Sequence, residues 1–205
     1  MYFIKTPEIL KRLYPRQVWS LPETEKKLYL TFDDGPTPSI TDWTLQTLKD
    51  HDAKGTFFIV GQSAERHPEI IKKMKEAGHG IGNHTYKHLN GWSTTTNSYI
   101  KDILKCDKIV ASKLFRPPYG RITKNQTSIM VKRYKVIMWD VLSGDFDRTI
   151  SKERCLKNVL ENTQSGSIIV FHDSVKAADR MQYALPRVLE YYAKKRFSFS
   201  HLSEN

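Results

Sequence analysis

The stretch Lys27-Leu28-Tyr29-Leu30-Thr31-Phe32-Asp33-Asp34-Gly35-Pro36 runs through aliphatic, aromatic and β-branched residues, then stops at two carboxylates and a Gly-Pro turn. Such a run reads as a buried β-strand ending at Phe32. Successive strand residues point to opposite sides, so Asp33 and Asp34 cannot share one environment, and the turn lets their carboxylates diverge to different tasks. One is then available to a metal ion and the other to protons. Asp, Gly and Pro are also the commonest turn residues, and taken alone the tetrapeptide is better read as plain turn chemistry.

His84-Thr85-Tyr86-Lys87-His88 adds two imidazoles four residues apart. Neutral imidazole and carboxylate oxygen suit zinc and related divalent ions, and three protein ligands leave a position for water. Asp34, His84 and His88 make such a set, brought together by one turn of helix or by a tight loop. The pair lacks the glutamate of a His-Glu-x-x-His motif, which leaves Asp33 to supply a base.

Apolar runs of strand length recur along the chain with polar, helix-like stretches in between. Strands are expected at 28–32, 55–60, 80–83, 114–116, 136–140, 167–171 and 197–201, and helices at 39–50, 64–77, 95–112, 124–133, 152–163 and 177–195. This alternation implies a parallel α/β sheet. Residues with chemical capacity fall at the C-terminal ends of the expected strands: Asp33 and Asp34, His84, Arg116, Asp140 with Asp145, and His172. Barrel enzymes build their sites on that rim. Asp140 reads either as part of a proton network or as a partner of nearby backbone.

Together the residues form ordered motifs: Thr31-Phe32-Asp33-Asp34-Gly35, His84-Thr85-x-x-His88, Arg116-Pro117-Pro118-Tyr119-Gly120, Trp139-Asp140 with Asp145, and Val170-Phe171-His172-Asp173. In that order they resemble the NodB-like polysaccharide deacetylases, carbohydrate esterase family four, over roughly residues 26 to 202. The resemblance implies a distorted (β/α)7-type barrel, the NodB homology domain. It also implies that Asp34, His84 and His88 hold a divalent metal, zinc first, with cobalt, nickel or manganese as alternatives. Asp33 then resembles the catalytic base, His172 the general acid, Asp145 the carboxylate that orients His172, and Arg116 the cation that holds Asp33. The backbone N–H of Tyr119 is implied to donate to the oxyanion.

Phe146, Val170, Trp92 and Pro117 are expected along the substrate groove. Phe146 stands where relatives commonly carry tryptophan, and Val170 where leucine is usual beside the acetyl methyl; one methylene is worth only ~1 kcal/mol, so neither change argues for an inactive enzyme. The implied activity is metal-dependent hydrolysis of N-acetyl groups on an N-acetylglucosamine-containing glycan, chitin-like or peptidoglycan. Two alternatives stand beside it: an O-acetyl esterase on acetylated xylan, and a catalytically silent carbohydrate-binding protein of the same fold.

A length of 205 residues without linker or repeat suits one catalytic domain at 26–205, preceded by an extension over 1–25 that packs on the barrel. The net charge of +11 implies affinity for anionic material, whether acidic polysaccharide, wall polymer, membrane surface or nucleic acid, and charge alone does not choose among them. Nucleic-acid motifs are missing. Lys5, Glu8, Lys11 and Arg12 interrupt the opening residues, so no signal peptide or transmembrane segment is read there. The default location is therefore cytoplasmic, with export and weak surface association left open and the oligomeric state unspecified. Cys106 and Cys155 fall in expected helices and read as free thiols.

Overall fold

The computed structural model describes residues 2–22 and 24–204. A short helix α1 (Glu8–Leu13) and strand β1 (Gln17–Val18) precede β2 (Lys27–Asp33), the strand of the opening motif. The chain then runs α2 (Ile40–Asp50), β3 (Gly55–Ile59), α3 (Gly61–Arg66), α4 (Pro68–Glu76), β4 (Gly80–Asn83), α5 (Thr96–Val110) and β5 (Leu114–Phe115). A 3-10 turn at Pro118–Gly120 leads to α6 (Lys124–Met130), β6 (Lys135–Ile137), β7 (Val141–Leu142), α7 (Lys152–Asn162), β8 (Ile168–His172), α8 (Ala178–Lys194) and β9 (Ser198–Phe199). The strands pair in parallel in the order β1-β6-β5-β4-β3-β2-β8-β7, with β9 joining β2. The sheet curls with helices around it, a distorted (β/α)7-type barrel.

From Leu28 to Asp33 every residue of β2 is buried, as expected of a parallel strand covered on both faces. Leu28, Leu30 and Phe32 pack outward with Leu48, Met181 and Leu185 of the helices. Tyr29 belongs instead to the barrel interior, with Phe58, Leu114, Ile137 and Ile168. The alternation carries Thr31 and Asp33 onto that inner side, so the strand delivers Asp33 to the mouth of the barrel.

Three expected elements differ in the structure. The strand expected at 136–140 is two strands, because β6 ends at Ile137 and β7 starts at Val141, at the opposite end of the sheet order. Across this seam, Met138 N–H donates to Val18 (2.7 Å) while Asp140 N–H donates to Ile168 (3.0 Å), handing the chain from one edge to the other. The helix expected at 64–77 is broken at His67 (φ −134°, ψ 55°), since a proline disfavours helical backbone in the residue before it and lacks an N–H. The strand expected at 197–201 shrinks to Ser198–Phe199.

The N-terminal segment lies over the seam. Gln17 and Val18 pair with Val136 and Ile137 of β6, and Lys5 bridges Val141 of β7. Asp140 fixes it from below: with its side chain 0% exposed, it accepts from Lys5 Nζ (2.6 Å), Lys11 Nζ (2.8 Å) and Ser167 Oγ (2.5 Å). The Asp140 carboxylate is thus a clamp on side chains, neither of the two roles read from the sequence. Cys106 and Cys155 are buried free thiols. Among the described residues no helix is long and apolar enough to cross a membrane.

Candidate active site

Asp34 leaves β2 with φ 80°, a left-handed conformation that aspartate tolerates better than most residues. His84 follows β4, and its backbone N–H donates to Ile59 (2.9 Å). The loop after it is tight rather than helical: Thr85 and His88 have φ 63° and 56°, and Asp102 accepts from the N–H groups of Tyr86 (2.8 Å) and Lys87 (2.9 Å). The loop therefore folds His88 back toward His84. His88 Nε2 lies 3.1 Å and His84 Nε2 3.8 Å from Asp34 Oδ1, and the ligating atoms of all three residues lie within 4.8 Å of one another.

The outer nitrogens are also engaged. His84 Nδ1 is 2.8 Å from the Arg116 carbonyl and His88 Nδ1 is 3.1 Å from the Tyr119 hydroxyl. Such outer partners orient a ligating imidazole and turn Nε2 inward. Burial pushes the His84 imidazole down to about 4, keeping it in the neutral, ligating form. Burial opposes the charge of Asp34, but His88 and the other nearby imidazoles outweigh it and hold the carboxyl well below its usual range. Two imidazoles and a carboxylate converging in this way fit a divalent ion.

Asp33 and His172 sit beside this cluster on the same cavity, as register partners of β2 and β8. Arg116 is 0% exposed. Its guanidinium donates to Asp33 Oδ1 (2.7 Å), Thr31 Oγ1 (2.7 Å) and the Met138 carbonyl (2.9 Å), and lies 4.1 Å from the centre of the Phe58 ring. Buried Asp145 holds His172 twice, accepting from its backbone N–H (2.7 Å) and pairing with Nδ1 (2.8 Å). Burial presses the His172 pKa down, but the Asp145 carboxylate outweighs it and raises it to about 9. Nε2 is the nitrogen left for the cavity.

Asp173 plays a part that its position after His172 only hinted at. It accepts from Gly35 N–H (3.1 Å) and Thr41 Oγ1 (2.5 Å), stapling the turn that follows Asp34. A Cβ on Gly35 would lie 2.1 Å from Asp173 Oδ2, so this approach requires glycine. Burial raises the Asp173 carboxyl to about 7.

The cavity has a volume of about 700 Å³, within the range of pockets that enclose drug-sized ligands. Trp92, Tyr119 and Arg121 line one part of it, with the Arg121 guanidinium 5.2 Å from the Trp92 ring centre. Phe146 lines another, edge-on to His172 at 5.2 Å and with Lys176 Nζ 5.8 Å from its ring centre. Val170 is also a wall residue. Pro117 is a correction: it is buried, and the turn through Tyr119 (φ 61°) and Gly120 presents the surface instead. Sequence reading missed the contribution of the N-terminal segment, whose Tyr2, Phe3, Thr6, Leu10 and Trp19 line the cavity across a long sequence separation.

The barrel rim groups an Asp-His-His cluster that could hold a metal ion with a carboxylate and a histidine, each on its own buried counter-charge, a layout suited to a metal-dependent hydrolase. The chain belongs to the polysaccharide deacetylase family, whose model matches residues 20–134. It is 37% identical over 163 residues to a peptidoglycan-N-acetylglucosamine deacetylase of Bacillus cereus, covering 76% of this chain and 59% of that one. A second peptidoglycan-N-acetylglucosamine deacetylase of the same organism is 31% identical over 193 residues, 91% of each chain. A solved peptidoglycan N-acetylglucosamine deacetylase, in complex with 4-naphthalen-1-yl-N-oxidanyl-benzamide, superposes with a TM-score of 0.87 at 32% identity and covers 94% of both chains. Deacetylases of this family are metal-dependent in general.

Proposed function

We propose that this chain is a metal-dependent deacetylase that hydrolyses the N-acetyl group of N-acetylglucosamine units, with peptidoglycan as the polymer. One observation carries the reading: Asp33 and His172 stand on neighbouring strands beside the Asp34, His84 and His88 cluster, one held by a cation and the other by an anion. That is the pairing of base and acid that amide hydrolysis needs.

A divalent ion on Asp34, His84 and His88, zinc by the donor set, supplies Lewis acidity and lowers the pKa of water from ~15.7 toward ~7. Arg116 engages Oδ1 of Asp33 and leaves Oδ2 to accept a proton from the attacking water. The acetamide oxygen gains negative charge during attack, and the backbone N–H of Tyr119 donates to it; losing one such donor typically costs roughly 3–4 kcal/mol of barrier. His172, protonated and aligned through Nδ1 on Asp145, gives its Nε2 proton to the glucosamine nitrogen, which departs as a neutral amine. Val170 lies beside the acetyl methyl, and Phe146 offers a ring to the sugar.

Peptidoglycan is favoured over chitin by charge. The chain carries +11, and Arg121 and Lys176 place cations on the cavity wall. A wall substrate puts the working protein at the cell envelope, in place of the cytoplasmic default. The test is acetate release from N-acetylglucosamine oligomers, peptidoglycan and acetylxylan by metal-free protein, before and after zinc, cobalt or nickel is added, with Asp34→Ala as control. Metal-dependent release from peptidoglycan is expected. Release from acetylxylan alone would make the chain an esterase, and glycan binding without chelator-sensitive release would make it a binding protein.

A further inference from the structure

The deacetylase reading uses the barrel rim and leaves the N-terminal wall of the cavity without a task. Tyr2, Phe3, Thr6, Leu10 and Trp19 line the same cavity as Asp33 and His172, yet all precede residue 20, where the family match begins. We propose that this segment forms a distal saccharide subsite, in which Phe3 stacks on a sugar further along the glycan than the one being deacetylated.

The subsite is a built one. Phe3 is 58% exposed although its backbone neighbours are pinned on successive residues. The Ile4 carbonyl accepts from Leu142 N–H (2.8 Å), Lys5 is ion-paired to Asp140, Thr6 N–H donates to the Asp140 carbonyl (2.9 Å), and Thr6 Oγ1 donates to the Trp139 carbonyl (2.7 Å). An apolar ring held in water on a fixed backbone has no folding role in these contacts. Next to it, Tyr2 packs 5.1 Å from Phe146 and donates to Asp147 (2.7 Å), joining this wall to the one beside His172. Trp19 is oriented by its Nε1–H on the Tyr14 carbonyl (3.3 Å). Flat rings continuous with a cavity that already takes one sugar suit the apolar face of a neighbouring pyranose, and stacking on rigid aromatics costs little side-chain entropy.

The inference rests on the deacetylase reading, so its test separates the two. Rates of acetate release are measured on N-acetylglucosamine oligomers of two and five units for the zinc-loaded wild type, Phe3→Ala and Phe3→Tyr, together with calorimetric binding of the pentamer. Phe3→Ala is expected to lower kcat/KM for the pentamer through KM by about threefold to tenfold, in line with the worth of one aromatic contact, with the dimer unaffected. Phe3→Tyr keeps the ring and keeps the pentamer rate. Equal losses on dimer and pentamer, an unchanged pentamer rate in Phe3→Ala, or a tyrosine variant as poor as alanine would each overturn the subsite. A wild type that releases no acetate from these oligomers or from peptidoglycan, but binds the pentamer more tightly than Phe3→Ala, sinks the deacetylase reading and keeps the subsite; equal affinities then sink both.

Discussion

Asp33 and His172 are register partners on the adjacent parallel strands β2 and β8, and their counter-charges come from elsewhere in the fold, Arg116 just after β5 and Asp145 just after β7. Neighbouring strands lie about 4.8 Å apart, so backbone pairing itself sets the spacing of the two groups. Side chains alternate along a strand, and a slip of one residue in this register would turn Asp34 inward in place of Asp33. Asp33 and His172, the proposed base and acid, are thus as fixed as the sheet that carries them.

Arg116→Lys tests the hold on Asp33. A lysine keeps the charge but cannot serve Asp33, Thr31 and the Met138 carbonyl together while lying over the Phe58 ring. Turnover is expected to fall about 10–100-fold from misplacement of Asp33. Stability should fall by about 1–3 kcal/mol from the donors left unmatched, read as a shift in urea midpoint. Unchanged turnover would remove Arg116 from the positioning of Asp33.

The alkaline limb of the rate profile tests Asp145. This carboxylate raises the His172 pKa against burial, so Asp145→Asn lowers it, and the proton donor is lost at lower pH than in the wild type. With both proteins loaded with the same metal, the ion's field is common to them and the downward displacement of the limb remains. A limb that stays in place would mean that another group supplies the proton.

Tyr119→Phe removes the hydroxyl that meets His88 Nδ1. Loss of an outer partner of this kind typically weakens metal binding about 10–100-fold, and the exposed position of Tyr119 puts the expected loss near the lower end. Competition with a chromogenic chelator reads the affinity, and the melting temperature of the metal-free protein should not move. An unchanged affinity would show that the loop holds His88 without help.

Much of this was legible because its signals are local. The strand into Asp33 shows itself by composition, and the expected strand at 80–83 and helix at 177–195 coincide closely with Gly80–Asn83 and α8. Asp34, His84 and His88 announce themselves by residue type and converge as expected. What escaped depends on pairing between distant parts of the chain. Met138-Trp139-Asp140 reads as a continuation of its strand because nothing in those residues says that the sheet order changes ends there. Gln17 and Val18 make too short and too polar a run to look like a strand, and they form one only because β6 offers its edge. Pro68 is a local signal for the break at His67, which the helix expected over 64–77 did not take into account.

Asp140 gives the fold an acid-sensitive clasp. Burial raises its carboxyl, but hydrogen bonds from Lys11, Lys5 and Ser167 outweigh this, so it titrates lower when folded than when unfolded. Its contribution to stability is therefore present above the unfolded value of ~3.9 and is lost as the pH falls through the folded one. Urea unfolding between about pH 6 and pH 3 should show a declining midpoint that is shallower in Asp140→Asn, whose stability near neutrality should be lower by about 1–3 kcal/mol. Parallel pH curves for the two proteins would assign the decline to other carboxylates.

The central pairing of β2 with β8 also fixes an order of events during synthesis. Asp34, His84 and His88 leave the ribosome well before His172 does, and the strands that carry them, β2, β3 and β4, are direct neighbours. The residues able to hold an ion and the residue proposed as proton donor are thus far apart in the order of synthesis. On the roles proposed above, the site is complete only when β8 takes its place beside β2, because the domain folds as one unit.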